Sequence, residues 1–482
     1  MLYIPQFHHA SALPYYIALY EAIKRDIMEG RLRPNDALPS IRKLAAGLSI
    51  STTPVEVAYQ QLIAEGFVES RPRQGFFVVS LPVSYGELKL GGPQLEPAQL
   101  DETAAASEQV YIYDFHMAKN DNEHFPIRVW KKLFSQVLRE DYEELLFYGD
   151  AQGEKELREQ IATYLGRLRG VICRPEQIVI GAEQHLLMHY LALLLRDVSS
   201  VIAAEQPSYP LIPSTFESEG YEVYTIPPAD HGGISVPHLE QSSARILFVS
   251  PSHRFPDGRV MPFSERLELL EWAKRREAYI LEDDYGRELR YQGQSIPALQ
   301  GVDSRANVIY LGGFSQILAP DLCIHYMVLP ETLLPRYHSL RRTLLFESSC
   351  SRIVQRALRR FMEEGHFERH VSKMRNVYRQ KNNVMVQSLR ALFGEWGEIV
   401  NPEAGLHVIL KLHSAVSERE MVRIARENGV FVAAASPYYP GLSDRNRERQ
   451  FMIGFGGVPE ERIHEGLLRL KELWAPSLFP IF

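Results

Sequence analysis

The sequence predicts two folded parts, a small helical domain with a β-hairpin and a large α/β domain with a mainly parallel sheet. Within residues 1–80, three helical segments precede two short apolar runs around a basic turn. From about residue 111, apolar strand-like runs alternate with amphipathic helical stretches, which is the pattern of a parallel α/β sheet. The 482 residues are also too many for one ordinary core.

The composition indicates a globular protein without a membrane partner. Hydrophobic residues make up 45% of the chain and charged residues 23%. No apolar run approaches the roughly 18–20 residues of a membrane span, and residues 1–9 lack the features of a signal peptide. The three cysteines are widely spaced and suggest neither a disulfide framework nor a metal site. We therefore expect a cytoplasmic protein.

The net charge of −7 argues against bulk nucleic-acid binding by the whole chain. Residues 1–80, however, hold eight Lys or Arg against seven Asp or Glu. The acidity therefore lies outside this segment, and the segment remains a candidate for contact with an anionic partner.

Helical signals dominate the first 65 residues. Residues 14–32 repeat apolar side chains at helical spacing. A short second helix follows, and Gly47 is its predicted stop signal. For the third helix we expect Thr53 as N-cap, Pro54 at the first helical position and Glu56 completing a capping box.

A hairpin with a basic tip follows the third helix. The apolar runs 67–68 and 76–79 flank Arg-Pro-Arg-Gln-Gly at 71–75. Three helices and such a hairpin make a winged helix-turn-helix. Residues 38–45, together with Ala-Glu-Gly-Phe-Val-Glu at 64–69 and the glycine-bearing wing, resemble the GntR family of DNA-binding domains.

This resemblance implies a double-stranded DNA operator as partner. The third helix would enter the major groove by its N-terminal end, and basic side chains would contact the backbone or the minor groove. The candidate DNA-binding residues are Arg42, Lys43, Ser51, Thr52, Thr53, Arg71, Arg73, Gln74 and Gly75. The family often has arginine where this chain has Thr52 and Glu56. Without those donors to guanine, the sequence does not specify the operator.

Residues 81–110 are rich in Pro, Gly, Ala and acidic residues and show no persistent apolar stripe. We predict a flexible linker here. It would separate the DNA-binding domain, residues 1–80, from the large domain, residues 111–482, which would include a small C-terminal subdomain from about residue 340.

The large domain resembles the fold-type I aminotransferases, which hold pyridoxal phosphate (PLP) on a lysine. Its strand-like runs are residues 178–180, 200–204, 246–249, 278–281 and 308–311. Segments similar to the family's motifs occur in the family's order at residues 147–153, 181–184, 205–210, 250–258 and 282–285. With the GntR-like domain in front, the whole chain resembles the MocR/GabR subfamily of bacterial regulators.

The chain departs from the family at the centre of its chemistry. In Gly-Gly-Phe-Ser-Gln at 312–316, Gln316 stands at the lysine position, and a carboxamide cannot form a Schiff base. Other positions where the family has a hydroxyl or arginine for phosphate or substrate are Ala182, Leu211, Gly313, Cys323 and Met452, and Glu183 adds a negative charge. Losing two charge-assisted phosphate contacts would weaken PLP binding by about 100-fold or more.

The resemblance places one pocket in the large domain. Its candidate residues are Tyr148, Ala182, Glu183, Tyr209, His253, Asp283, Tyr285, Gln316, Cys323 and Met452. In the family, the residue at Tyr209 stacks on the pyridine ring and the one at Asp283 pairs with its nitrogen. Other interpretations stay open: Asp283 and Asp284 could cap a turn, Tyr209 could be ordinary packing, and His253 could be a structural hydrogen-bonder.

Three functions are compatible with these features. The first is a DNA-binding regulator whose large domain lacks covalent PLP and serves dimerisation, sensing of an unknown small-molecule effector, or both. The second is a regulator that binds PLP or its amine form non-covalently. The third, a working transaminase, is nearly excluded by Gln316. We expect a homodimer, because fold-type I sites lie at a dimer interface and paired DNA half-sites suit two-fold symmetry.

Overall fold

The computed structural model describes residues 14–80, 110–229, 232–286, 288–291, 297–303, 306–322, 324–344, 350–439 and 448–479. The chain divides into two compact units, Met1–Gln109 and Val110–Phe482. Most of the predicted linker lies outside the described residues. None of the described helices is long and apolar enough to cross a membrane.

The N-terminal unit is a three-helix domain with a small antiparallel sheet. Its elements are α1 (Tyr15–Met28), β1 (Ala37–Leu38), α2 (Ile41–Leu48), α3 (Thr52–Ala64), β2 (Val68–Arg71) and β3 (Gly75–Val78). The sheet order is β1-β3-β2, with Arg71 opposite Gly75 at the tip of the wing. This confirms the predicted winged helix-turn-helix.

The core of this unit is formed by apolar side chains that recur at helical spacing. Leu19 and Ile23 of α1 are fully buried beside Leu62 of α3. Tyr59 joins the helices to the wing, because its ring packs edge-on against Phe76 at 4.9 Å between centroids. Its buried hydroxyl donates a hydrogen bond of 2.9 Å to a backbone carbonyl of the turn before α2.

Two predicted helix ends are wrong. Helix α3 begins at Thr52 with Ser51 as the N-cap residue, so Thr53 lies inside the helix. Pro54 is therefore the third helical residue rather than the first, and the predicted capping box of Thr53 and Glu56 is not formed. The proline is accommodated because no residue of the first turn needs to donate an intrahelical hydrogen bond. Gly47 also lies inside its helix; α2 ends at Leu48, and Ser49 adopts the left-handed conformation that stops it.

Helices lie between most of the strands along the chain of the C-terminal unit. They are α4 (Ile127–Glu140), α5 (Tyr142–Leu145), α6 (Lys155–Arg169), α7 (Gln184–Leu195), α8 (Leu211–Ser218), α9 (Val236–Gln241), α10 (Phe263–Arg276), α11 (Leu299–Val302), α12 (Leu334–Leu344), α13 (Arg352–Glu363), α14 (His366–Phe393), α15 (Glu418–Glu427) and α16 (Glu460–Trp474).

The strands of this unit form a large sheet and a smaller one. They are β4 (Tyr113–Asp114), β5 (Ile178–Gly181), β6 (Val201–Ala204), β7 (Glu222–Thr225), β8 (Ile246–Val249), β9 (Tyr279–Asp283), β10 (Val308–Gly313), β11 (His325–Val328), β12 (Gly397–Val400), β13 (His407–His413), β14 (Val430–Phe431), β15 (Ala433–Ala434) and β16 (Glu448–Gly454).

The large sheet has the order β5-β11-β10-β9-β8-β6-β7. The pairs β10–β9, β9–β8, β8–β6 and β6–β7 are parallel, whereas β11 is antiparallel to both of its neighbours. All five runs that we predicted are strands, and the mainly parallel α/β fold is confirmed. Strands β6, β8, β9 and β10 are largely buried between apolar clusters on both faces of the sheet, whereas the edge strand β7 is partly exposed.

The smaller sheet has the order β12-β13-β16-β15 and lies in the C-terminal part of the unit. Strand β4, near residue 110, pairs in parallel with β14. The start of this unit therefore packs with its end, and Phe115 belongs to the same buried cluster as Trp474.

A buried ion pair fixes the carboxyl end of β9. Arg169, the last residue of α6, donates two hydrogen bonds to Asp284, at 2.8 Å from Nε and 2.9 Å from Nη2. Nη2 also donates to the Ser252 hydroxyl at 2.6 Å, and the Tyr310 hydroxyl donates to Asp284 at 2.5 Å. Asp284 therefore does not act as a simple turn cap, which was one of the interpretations left open.

Candidate functional site: a ligand pocket and a DNA-binding face

A cavity of about 420 Å³ opens at the carboxyl ends of β9 and β10. This is where ligands bind in open parallel sheets. The described residues that line it are Met117, Ala118, Asn120, Glu183, Gln184, His185, Tyr209, Leu211, Phe255, Asp283, Tyr285, Gly286, Glu288, Gly312, Gly313, Ser315, Gln316, Pro320, His325, Leu406 and His407.

Strand geometry directs Asp283 into this cavity. Successive side chains of a strand point to opposite faces, so Asp283 faces the cavity while Asp284 faces Arg169 on the other side. Only 4% of Asp283 is exposed. The Gln184 side chain, in the first turn of α7, donates a hydrogen bond to its Oδ1 at 3.1 Å.

Aromatic rings form one wall of the cavity. The Tyr209 and Phe255 rings meet edge-on at 5.3 Å between centroids, and Tyr285 lies next to Phe255 at 6.5 Å. Burial and the charge of Asp283 raise the pKa of Tyr285 well above its usual value. The Tyr285 hydroxyl is buried and has no hydrogen-bond partner among the described residues.

Gln316 lies on the floor of the cavity, just beyond the end of β10. Its Oε1 is buried, and no described group donates a hydrogen bond to it. This oxygen packs so close to Gly286 that a Cβ added there would lie 2.9 Å away. Asn120 supports the same turn, since its Nδ2 donates to the Ser315 carbonyl at 2.7 Å.

A histidine fills the space beside Gly313. The His325 ring lies so close that a Cβ added at Gly313 would meet its Cδ2 at 2.4 Å. His325 Nδ1 is 3.1 Å from the Ala182 carbonyl oxygen. The imidazole thus bridges the two positions at which the aminotransferase resemblance places phosphate-binding hydroxyls. Glu183, exposed at the N-cap of α7, sets a carboxylate at the same edge of the cavity.

The cavity is lined by negative charge. Its acidic side chains are Glu183, Asp283 and Glu288, and within the described ranges no lysine or arginine lines it. Glu288 is 5% exposed and accepts a hydrogen bond from the buried Tyr164 hydroxyl. Burial lowers the pKa of His407, so this lining imidazole is neutral at neutral pH.

The structure brings together five of the ten predicted pocket residues, namely Glu183, Tyr209, Asp283, Tyr285 and Gln316. Of the others, Ala182 does not line the cavity and contacts His325 through its carbonyl oxygen, and Met452 is buried in a cluster with Phe255. Tyr148 is 76% exposed and does not line the cavity of its own chain. Cys323 lies outside the described residues.

The interpretation of His253 as a structural hydrogen-bonder is wrong. Both of its ring nitrogens are buried and have no partner among the residues that the structure describes. Burial lowers its pKa to about 3. The ring is held by van der Waals packing. Gly258 and Gly405, both with positive φ, lie close to it, and the Tyr285 ring packs edge-on against it at 5.2 Å between centroids.

Sequence reasoning missed several lining residues. Asn120 and His407 are distant in sequence from every motif, so no local signal identifies them. Glu288 lies only five residues after Asp283, and an acidic residue so near the motif could have been noticed. His325 begins a strand that the sequence analysis did not predict, which is why its ring was not expected between β10 and β5.

The predicted DNA-binding residues lie on α2, at the start of α3 and on the wing. Arg42, Lys43, Ser51, Thr52, Thr53, Arg73, Gln74 and Gly75 are exposed. Arg71 is different, because it is half-buried and held within the wing. Its guanidinium lies 4.4 Å from the Phe77 ring centroid and bonds Glu69 and Asn35, each at 2.7 Å.

Two family profiles match this chain. The profile described as "Bacterial regulatory proteins, gntR family" matches residues 15–78, and that described as "Aminotransferase class I and II" matches residues 114–470. The chain therefore belongs to the GntR-type transcriptional regulators that carry an aminotransferase class I and II domain. Its N-terminal domain is a DNA-binding domain.

Curated relatives share both parts. The HTH-type transcriptional regulator YdeL of Bacillus subtilis is 36% identical over 96% of this chain and 97% of its own length. The probable rhizopine catabolism regulatory protein MocR of Rhizobium meliloti is 30% identical over 95% of this chain and 93% of its own.

A solved enzyme shares the fold of the C-terminal unit. This is the α-aminoadipate aminotransferase LysN of Thermus thermophilus, in complex with N-(5′-phosphopyridoxyl)-L-leucine. It superimposes with a TM-score of 0.67 at 25% identity, covering 78% of this chain and 95% of that one.

The contact between Gly313 and His325 gives a first prediction. Gly313→Ser should destabilise the protein by about 1–3 kcal/mol, because its side chain collides with the imidazole. Adding His325→Ala should relieve the collision, so the double variant should be more stable than the two single effects predict. Urea denaturation of the four proteins measures this. Additive effects would show that the two positions do not compete for one space.

Proposed function

We propose that this protein is a dimeric DNA-binding regulator whose aminotransferase-like domain is catalytically inactive and senses a small molecule without covalent PLP. The observation that carries the proposal is the floor of the cavity, where the amide of Gln316 lies at the position of the Schiff-base lysine in the resemblance. An amide is not a nucleophile and cannot transfer the protons of a transamination.

The described lining does not fit PLP. Covalent attachment needs an amine, and the phosphate needs cationic or multiple neutral donors. The lining offers neither lysine nor arginine within the described residues, and it places Glu183 at the helix end where a phosphate would otherwise be favoured. We therefore assign no catalytic step to this cofactor here.

DNA binding is supported by the exposed face of the N-terminal unit. Arg42, Lys43 and Arg73 are exposed on two elements of a fold whose third helix begins with three exposed hydroxyl residues. The Ser51 side chain does not cap the backbone amides at the start of α3, so these amides can donate hydrogen bonds to a phosphate oxygen. These groups would supply backbone contacts, while Thr52 and Thr53 would reach base edges.

Dimerisation is supported by an exposed apolar segment that we call the 146–148 patch. Leu146, Phe147 and Tyr148 are 76%, 73% and 76% exposed, respectively. Three successive large apolar side chains in water are costly, which favours a partner surface. In the aminotransferase resemblance, this segment reaches the pocket of a second copy.

Non-covalent binding of PLP is the second candidate. Tyr209 and Asp283 both line the cavity, and they could hold a pyridine ring between an aromatic face and a carboxylate. The negative charge at Glu183 and the position of His325 oppose this alternative.

Catalytic inactivity is tested by incubating the natural protein and Gln316→Lys with PLP. We expect no aldimine absorbance band and no amino-group transfer from the natural protein, because position 316 offers no amine. Borohydride reduction followed by mass spectrometry locates any lysine adduct. A PLP adduct within the cavity of the natural protein, together with turnover, would contradict the proposal; the Lys variant reports whether geometry alone supports attachment.

The DNA-binding face is tested with a duplex selected by the full-length protein from a random-sequence pool. Arg42→Ala and Arg73→Ala should each weaken binding and lower the slope of log affinity against log salt by about 1, because each would remove one phosphate contact. Fluorescence anisotropy at several salt concentrations measures both. Arg31→Ala is the matched control, since Arg31 is exposed but paired with Asp26 and Glu29. An unchanged slope in the first two variants would exclude them from the interface.

The dimer is tested with Phe147→Glu. A charge in the 146–148 patch should shift the sedimentation of the protein from dimer to monomer and weaken binding to a two-half-site duplex. Leu468→Glu is the control, because Leu468 is a partly exposed apolar residue on α16. Dimers of unchanged stability in the Phe147 variant would remove this patch from the interface.

A further inference from the structure

We propose that helix α3 reads a cytosine through Glu56 and the methyl group of a nearby thymine through Val57. This inference rests on the proposed DNA-binding face and assigns base specificity to two side chains that are not among its predicted residues. It follows from the exposed stripe of α3, from the absence of cationic side chains on this helix and from the lack of a bonding partner for Glu56 within the described chain.

Helix α3 has a buried stripe and an exposed stripe with the same helical spacing. The buried stripe packs into the core of the N-terminal unit and consists of Val55, Ala58, Tyr59 and Leu62. The exposed stripe consists of Thr53, Glu56, Val57 and Gln60. Residues three and four apart are neighbours on a helix, so the exposed side chains form one surface. This surface begins at the N-terminal end of α3, which a helix-turn-helix inserts into the major groove.

The exposed stripe cannot make the commonest base-specific contact. Between Thr52 and Ala64 the helix contains neither lysine nor arginine, the residues that bond to guanine. The exposed cations of the proposed DNA-binding face, Arg42, Lys43 and Arg73, lie on α2 and on the wing. Base readout by α3 therefore depends on a carboxylate, on hydroxyls, on amides and on apolar groups.

Glu56 differs from most carboxylates of this unit because it is not bonded within the fold. Five others accept hydrogen bonds or form ion pairs, namely Asp26, Glu29, Asp36, Glu65 and Glu69. Glu56 is exposed, and no group in the described chain bonds to it. In the major groove its charge would be repelled by the DNA phosphates. A hydrogen-bond donor on a base edge offsets that repulsion and gives the carboxylate a function.

The chemistry of a carboxylate selects the base. An ionised carboxylate accepts hydrogen bonds and cannot donate them. In the major groove guanine presents two acceptors, thymine presents an acceptor and a methyl group, and adenine places its N7 acceptor beside its amino group. Cytosine presents an amino donor at N4 without an acceptor of its own. Cytosine is therefore the base whose edge suits Glu56.

Val57 places an apolar group next to Glu56 on the same surface. Val57 is 38% exposed, and Thr53 lies one turn before it. An apolar side chain in the major groove contacts the C5 methyl group of thymine, which the other bases lack. Removing one methyl group from water at this contact strengthens binding by about fourfold. Because Glu56 and Val57 are adjacent, the cytosine and the thymine belong to the same half-site.

Glu56 is tested by the discrimination between base pairs rather than by affinity alone, because removing a negative charge strengthens binding to any sequence. The full-length protein selects duplexes from a random-sequence pool, and each base pair of a selected site is then changed in turn. Fluorescence anisotropy with the natural protein should show one cytosine per half-site whose replacement weakens binding about tenfold or more.

Three variants locate this discrimination. Glu56→Ala should reduce it to less than about twofold, because no acceptor remains at this position. Glu56→Gln should admit adenine at the same base pair, since glutamine bonds to both N6 and N7 of adenine. Glu21→Ala is the matched control and should leave the discrimination unchanged, because Glu21 is exposed on α1 and is likewise bonded to no described group. Circular dichroism shows that each variant is folded.

Val57 is tested with deoxyuridine, which lacks only the methyl group of thymidine. Each thymine of the selected duplex is replaced in turn. We expect one position per half-site at which uracil weakens binding by the natural protein about threefold to fourfold. Val57→Ala should lose this sensitivity while it keeps the discrimination at the cytosine, so the two side chains are assigned independently.

The outcomes separate this inference from the proposed function. Discrimination at the cytosine that survives in Glu56→Ala, or selected sites without a constant cytosine, would overturn the assignment of Glu56. Equal sensitivity of the natural protein and Val57→Ala to uracil, or no sensitivity in either, would overturn the assignment of Val57. In all these cases the protein still binds a selected duplex. Failure to select any duplex would instead overturn the proposed regulator and this inference with it.

Discussion

The buried ion pair between Arg169 and Asp284 is the constraint around which the pocket is arranged. An isolated charge inside the protein is costly, and the hydrogen bonds from this pair to Ser252 and from Tyr310 to Asp284 help to stabilise it. Its geometry fixes the end of β9 and thereby the direction of the neighbouring Asp283. Two residues before Asp284, Glu282 accepts hydrogen bonds from the backbone amides of Leu299 and Gln300, and burial raises its pKa to about 7. Of the acidic run at the end of β9, Glu282 and Asp284 are thus bonded within the fold, whereas Asp283 lines the cavity.

The cavity is lined by residues that the aminotransferase resemblance places at the cofactor ring, but it lacks the hydroxyl and arginine side chains that the resemblance places at the phosphate. The ring-facing side, with Tyr209 and Asp283, stays open. The opposite side is closed by His325, which occupies space that Gly313 makes available. The two residues depend on each other, because the lack of a side chain at Gly313 leaves room for the imidazole of His325.

Much of the fold could be predicted from the sequence, because its signals are local. Five buried strands of the large sheet appear in the sequence as apolar runs, and the wing appears as two short apolar runs around a glycine-containing turn. The errors have physical causes. A proline tolerated anywhere in the first helical turn displaced the predicted start of α3, and a serine in the left-handed region replaced the glycine that we expected to end α2.

The candidate site was predictable only where its residues belong to a motif. Tyr209, Asp283 and Gln316 lie in recognisable segments and do line the cavity. Asn120 and His407 reach it through tertiary packing, for which the sequence carries no local signal. His253 was expected to be a structural hydrogen-bonder, yet it is buried beside two glycines with neither ring nitrogen bonded to a described residue, and it serves as an uncharged packing element.

The wing of the N-terminal unit has a consequence for the thermodynamics of recognition. Arg71 stacks on Phe77 and ties the end of β2 to Asn35, so the hairpin is stiffened before any DNA arrives. Preorganised loops lose little conformational entropy when they bind. For the wing contact with DNA that we propose, more of the favourable contact energy of the tip would therefore be retained as affinity, and association would resemble the docking of two rigid bodies rather than coupled folding.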